Sequence, residues 1–136
     1  MAYMTPRSIT IPPSEKPTRV FLVERFDQLA KRIEDTLFDP EHTIGFERAA
    51  DISAAVEDLN YLDADYVVVN VDEMKSDELE KLSEIRRTYP AYHFFGLSGD
   101  PQKKSSDPAA RDACEQVFQL TTDLADLKQQ IHHQAI

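Results

Sequence analysis

A doubly wound α/β domain, a parallel sheet with helices on both faces, is predicted from three observations. Between Arg19 and Ile131, short apolar runs alternate with stretches of helical apolar spacing through five rounds. The stretch Tyr66 to Val71 is the most hydrophobic of the chain, and its β-branched residues lack polar alternation, the pattern of a central strand covered on both faces. Each strand is followed by a helical stretch, which supplies the crossover that a parallel pair requires. A chain of 136 residues, 41% hydrophobic and 9% aromatic, suits a single domain with one core.

The elements follow in order. Residues 1–18 carry Pro6, Pro12, Pro13 and Pro17 and read as a flexible arm; the domain spans 19–131 and a short tail covers 132–136. Val20 to Val23 forms the first strand. Phe26, Leu29, Ala30, Ile33 and Leu37 line one helical face that ends at Asp39-Pro40. Thr43 to Ala49 is the second strand, and Asp51 caps a helix presenting Ile52, Ala55, Val56 and Leu59. After the central strand, Ser76 caps a helix bearing Leu79, Leu82 and Ile85. Tyr92 to Leu97 is the fourth strand and Gly99 to Ser106 a loop. Asp107-Pro108 sets an N-cap and a first-position proline for a short helix to Ala113. Val117 to Leu120 is the fifth strand, and Leu124, Leu127 and Ile131 line the last helix. Tyr66, Tyr92, Phe94, Phe95 and Phe118 lie in strands and read as packing.

Composition removes whole classes of function. Fifteen Lys and Arg against 25 Asp and Glu give a net charge of -10, so a nucleic-acid backbone is repelled, and no basic patch offsets this. No apolar run approaches the roughly 20 residues that span a bilayer. The proline-dotted N-terminus has no secretory pattern, and a cytoplasmic location is expected. The single Cys114 permits no internal disulfide and no thiolate metal cluster. His132 and His133, adjacent on a helix end, do not face one metal.

In a doubly wound sheet, ligands and chemistry gather beyond the carboxyl ends of the strands. Those positions hold Glu24 and Arg25, Asn70 to Asp72, Ser98, and Leu120. The three glycines, Gly45, Gly96 and Gly99, form neither a dinucleotide fingerprint nor a phosphate-binding loop, so no cofactor is expected. Ser98 has no histidine near a strand end to activate it, and no enzymatic activity is expected.

With these segments in place, the stretch Arg19 to Ile131 resembles the receiver domain of bacterial two-component response regulators. The likeness rests on the five-strand periodicity and on the placing of RVFLVER, DADYVVVNVDEM, FFGLSGD and VFQLTTDLADL. It implies a flavodoxin-like sheet of order 2-1-3-4-5. It also implies a phosphorylation pocket: an acidic pair after the first strand, an acceptor Asp ending the third, a Thr or Ser ending the fourth and a Lys ending the fifth. Here those positions fall on Glu24 and Arg25, Asn70, Ser98 and Leu120, and Val117 takes the place of a switch aromatic. A carboxamide is no nucleophile, so Asn70 cannot form an acyl phosphate. Arg25 and Asn70 each remove a carboxylate from a Mg²⁺ site, and Leu120 removes the cation that would meet a phosphoryl group. Three separate requirements fail together, and the resemblance is to a degenerate, pseudo-receiver type.

The function that this implies is a regulatory protein–protein interaction module that is not switched by aspartyl phosphorylation. Its output passes in trans to a histidine kinase, another regulator or another receiver, or through a homodimer. The interaction face implied by the resemblance carries Arg111, Asp112, Gln119, Asp123 and Asp126. Arg25 can pair with Glu24, Asp72 or Glu73 in place of the lost metal, or stand solvated. Two alternatives remain open at this level. Asp72, two residues past Asn70, projects to the same side if strand geometry persists and would serve as a substitute acceptor. Alternatively, a small-ligand pocket lined by Val117, Ser98 and Leu120 would make the protein a sensor.

Overall fold

The computed structural model describes residues 17–41, 44–102 and 107–135. The first 16 residues of the predicted arm, the Thr43 start of the second strand and residues 103–106 of the predicted loop lie outside this range. The chain runs β1 (Thr18–Val23), α1 (Asp27–Leu37), β2 (Ile44–Ala49), α2 (Ile52–Leu59), β3 (Tyr66–Asn70), a 3-10 turn (Val71–Glu73), α3 (Ser76–Thr88), β4 (His93–Ser98), α4 (Pro108–Ala113), β5 (Gln116–Gln119) and α5 (Leu124–Ala135). The strands form one sheet in the order β2-β1-β3-β4-β5, with every pair parallel. This is the doubly wound arrangement expected from the alternation.

Strand residues alternate between two cores. Phe21, Val67, Val69 and Phe94 point to one face, where Ile52 and Leu59 of α2, Leu79 and Leu82 of α3, and Ala113 at the end of α4 cover them. Val20, Leu22, Val68, Phe95, Leu97 and Phe118 point to the other, under Ile33 and Leu37 of α1 and Leu127 and Ile131 of α5. All five residues of β3 are buried, which is why its sequence shows no polar alternation. Tyr66, His93 and Phe95 stack across β3 and β4, and Phe118 meets Phe95 edge-on at 5.5 Å.

Several boundaries differ from expectation for local reasons. β3 stops at Asn70 rather than Val71, because the Asn70 carboxamide oxygen accepts the Asp72 N–H and turns the chain into the 3-10 turn. Strand geometry therefore does not persist to Asp72. β4 and β5 each lie one residue from the predicted span. Ser76 is the first helical residue of α3 rather than its cap, and the Glu78 carboxylate closes the end by accepting the Lys75 N–H. Pro101 and Gln102 are helical where a loop was predicted. The last helix continues to Ala135, so residues 132–135 extend α5 instead of forming a tail, and His132 is buried with Nε2 3.2 Å from the Leu37 carbonyl oxygen. Asp51 and Asp107 cap α2 and α4 as predicted, accepting from the Ala54 and Ala109 amides.

Candidate functional site at the carboxyl edge of the sheet

The parallel register brings the ends of β1, β3, β4 and β5 to one edge. Glu24 follows β1 directly, and its N–H continues the ladder to the Ala49 carbonyl. This holds the side chain inward, where it is 2% exposed. A buried carboxylate is tolerable only when its oxygens are occupied. Oε1 accepts from the Asn70 Nδ2 at 2.9 Å, and Oε2 from the Phe26 N–H at 3.1 Å. Asn70 is 6% exposed and uses both halves of its carboxamide, donating to Glu24 and accepting from Asp72. The acidic and amide positions are thus clasped to each other.

Asp72 is drawn by the 3-10 turn towards β4. Its Oδ1 accepts the Ser98 hydroxyl at 2.6 Å and its Oδ2 accepts the Gly99 N–H at 2.7 Å. Ser98 is fully buried, and its Oγ also accepts the Asp100 N–H at 2.9 Å. Just past β5, Leu120 donates its N–H to the Ser98 carbonyl, while its half-buried side chain packs on the α1–α5 core. Val117 packs on the α2–α3–α4 core, so Val117 and Leu120 face opposite sides of the sheet and do not line one pocket with Ser98. The crevice beside Glu24, Arg25, Asp51, Asn70, Met74 and Glu78 has a volume of only about 20 Å³. That is far below the roughly 300 Å³ at which metabolite pockets begin.

Arg25 is exposed and makes no ion pair with Glu24 or Asp72. The arginine that does reach the edge is Arg48 of β2, whose Nε donates to the Glu24 carbonyl at 2.8 Å and whose Nη1 meets Asp27 at 2.7 Å. Gln119 also belongs to the edge: Nε2 donates to the Gly99 carbonyl, Oε1 accepts from Thr121, and its N–H goes to Asp123. Sequence reading missed Arg48 and assigned Gln119 and Asp123 to an interaction face. A polar residue in the last two positions of a strand was the available signal for Arg48 and Gln119; Asp123 stands just ahead of α5. Of that face, Asp112 turns to α3, where its carbonyl and carboxylate meet Arg86 and Arg87; Arg111 and Asp126 are exposed. His93 pairs with Glu115 at 3.1 Å at the opposite end of β4 from Ser98.

A Mg²⁺ ion, which the resemblance implies for a working pocket, requires several free hard oxygens, two of them anionic. Each oxygen of Glu24 and of Asp72 already accepts a hydrogen bond, and neither Asn70 nor Arg25 adds an anionic oxygen beside them. The residues present do not fit the ion. Among the described residues, no group of three or more His, Cys, Asp or Glu is placed to hold a metal.

No family model matches the chain, and no curated protein matches it. Solved structures do. The response regulator TrrA of Thermotoga maritima, in complex with Mg²⁺ and BeF, superposes with a TM-score of 0.71 at 18% identity, over 88% of this chain and 99% of that one. The chain has the receiver fold. An orphan response regulator of H. pylori superposes on it with a TM-score of 0.68 at 16% identity, over 88% of this chain and 97% of the other. The RcsB response regulator of Salmonella typhimurium matches with a TM-score of 0.66 at 20% identity over 83% of this chain, which spans only 57% of that protein. On the receiver fold, the edge carrying Glu24, Asn70, Ser98 and Leu120 is the one that the resemblance assigned to phosphorylation. No helix among the described residues is long and apolar enough to cross a membrane.

Proposed function

We propose that this chain is a pseudo-receiver: a non-enzymatic signalling module that binds a protein partner and is not switched by aspartyl phosphorylation. The observation that carries the reading is the Glu24–Asn70 clasp. A neutral carboxamide ends β3 and is hydrogen-bonded to the buried carboxylate that would otherwise be available to a cation. Leu120 supports it, because an alkyl side chain packed on the core supplies no charge to a phosphoryl oxygen. Asp72 is a weakened substitute acceptor, since the Ser98 hydroxyl and the Gly99 N–H stabilise its carboxylate charge and so lower its nucleophilicity. The TrrA structure, which shares the fold, is a complex with Mg²⁺ and BeF; at the carboxyl edge here, the protein's own side chains bond one another. The partner is a histidine kinase, another regulator, another receiver or a second copy, docking through α4, β5 and α5 with Arg111 and Asp126 exposed there. A cytoplasmic location belongs to the same reading.

Incubation with acetyl phosphate and Mg²⁺ tests this by intact mass. The mass should stay unchanged, and Asn70→Asp should still label poorly, because Arg25 disfavours the cation and Leu120 leaves the phosphoryl charge unmet. Labelling should need Arg25→Asp, Asn70→Asp and Leu120→Lys together. A wild-type protein that gains one hydroxylamine-labile phosphoryl group overturns the reading.

A further inference from the structure

The groups that close the carboxyl edge form one continuous polar chain across all five strands. Starting at β2, Arg48 holds the Glu24 carbonyl; the Glu24 carboxylate holds the Asn70 amide; the Asn70 oxygen holds the Asp72 N–H. The Asp72 carboxylate holds Ser98 and Gly99, the Gly99 carbonyl holds Gln119, and the Gln119 N–H reaches Asp123 beside α5. Asp72 is the one link in which a full charge meets two donors from another strand. Both of its contacts, at 2.6 and 2.7 Å, are in the short range of charge-assisted bonds.

We propose that Asp72 is a built-in latch: its carboxylate permanently fills the anion position that the Ser98 hydroxyl and the Gly99 amide create, and it fixes the segment leaving β4 in one conformation. The inference rests on the pseudo-receiver reading and adds to it how the edge is regulated. The hydroxyl and the amide meet one carboxylate from the end of β4, one at each oxygen, so together they make a two-donor cradle for an anion. Asn70, being neutral, cannot supply that anion. Its carboxamide instead caps the 3-10 turn that swings Asp72 into the cradle. Asn70 and Asp72 therefore work as a pair, one shaping the turn and the other bringing the charge. Through Gly99 and Gln119 the same latch sets the start of the segment that leads towards α5. The surface beyond β4 is then presented to a partner continuously, without a covalent signal.

Amide hydrogen exchange and ¹H–¹⁵N spectra of the full chain test the latch. Asp72→Ala should speed exchange of the Gly99 amide by about tenfold or more, the loss expected for a bond to a charged acceptor. It should also move or broaden the signals of 98–100 and of the Gln119 side-chain amide. Ser98→Ala should leave the Gly99 amide bonded and give a smaller effect, and Glu80→Gln, an exposed charge change on α3, should give none. Asp72→Asn keeps the volume with one acceptor oxygen and supplies the readout if Asp72→Ala fails to fold. Unchanged Gly99 exchange in the Asp72 variants overturns the latch and leaves the pseudo-receiver reading intact. Phosphorylation of the wild-type protein by acetyl phosphate overturns that reading instead.

Discussion

Glu24 remains buried because Asn70 is uncharged, and the chemistry of the pair follows from which of them donates. In Glu24→Gln one acceptor oxygen replaces two, so whichever way the new amide turns, either the Asn70 Nδ2 or the Phe26 N–H is left facing a donor. Asn70 cannot turn over without abandoning the Asp72 N–H. The cost should be about 1–3 kcal/mol by urea unfolding, the range for a buried group left unsatisfied. The double change Glu24→Gln with Asn70→Asp reverses the direction of the bond and should recover most of it. Asn70→Asp alone places two carboxylates about 2.9 Å apart in a buried setting. Only one can stay charged without a large penalty. The folded variant therefore holds a proton more tightly than its unfolded chain, so its stability should be lowest at neutral and higher pH and rise as pH falls, measured by urea midpoints across pH.

Gly96 shows how elements meet behind the edge. A Cβ there would lie 3.2 Å from Val117 and Val71 side-chain carbons and 3.3 Å from the Cys114 sulfur, so a larger residue between β4, β5 and the 3-10 turn would have to push all three side chains back by a few tenths of an ångström. Gly96→Ala should destabilise by about 1–3 kcal/mol, the usual cost of overpacking, read as a lower denaturant midpoint. The elements themselves were legible in the sequence where local chemistry decides them. The Asp107-Pro108 start of α4, the Asp51 cap of α2 and the unrelieved apolar run of β3 all depend on neighbours within a few residues. The end of β3 was not legible, because it depends on the Asn70 side chain choosing the Asp72 amide over another strand residue. The positions of Glu24, Asn70, Ser98 and Leu120 could be read from the strand order. The bonds between them could not, since Glu24 to Asn70 and Asp72 to Ser98 join residues far apart in the chain.

At the scale of the whole molecule, two buried acids respond to alkali in the same direction. Burial first, and then the neighbouring Glu115, pushes the Cys114 thiol up to about 12 against the pull of Arg86; burial, with Asp65 and Glu115, pushes the Tyr66 hydroxyl to about 12. Both groups ionise in the unfolded chain at lower pH, near their ordinary values of 9.0 and 10.0. Above pH 9 these two groups hold more protons in the folded state than in the unfolded one, so their contribution to stability should be constant below about pH 9 and fall progressively from there towards 12. Urea midpoints taken from pH 7 to 11 should show this decline. Cys114→Ala should flatten its first part, between 9 and 10, whatever the packing loss does to the absolute value. The same burial makes the native protein blank to thiol reagents at neutral pH, since the only sulfhydryl of the chain is both 4% exposed and held protonated. A cysteine introduced at Arg111 or Asp126 would therefore be the sole point of attachment for a maleimide dye or crosslinker. The wild-type background can then be used unaltered to photograph, by crosslinking, whatever settles against that side of the molecule.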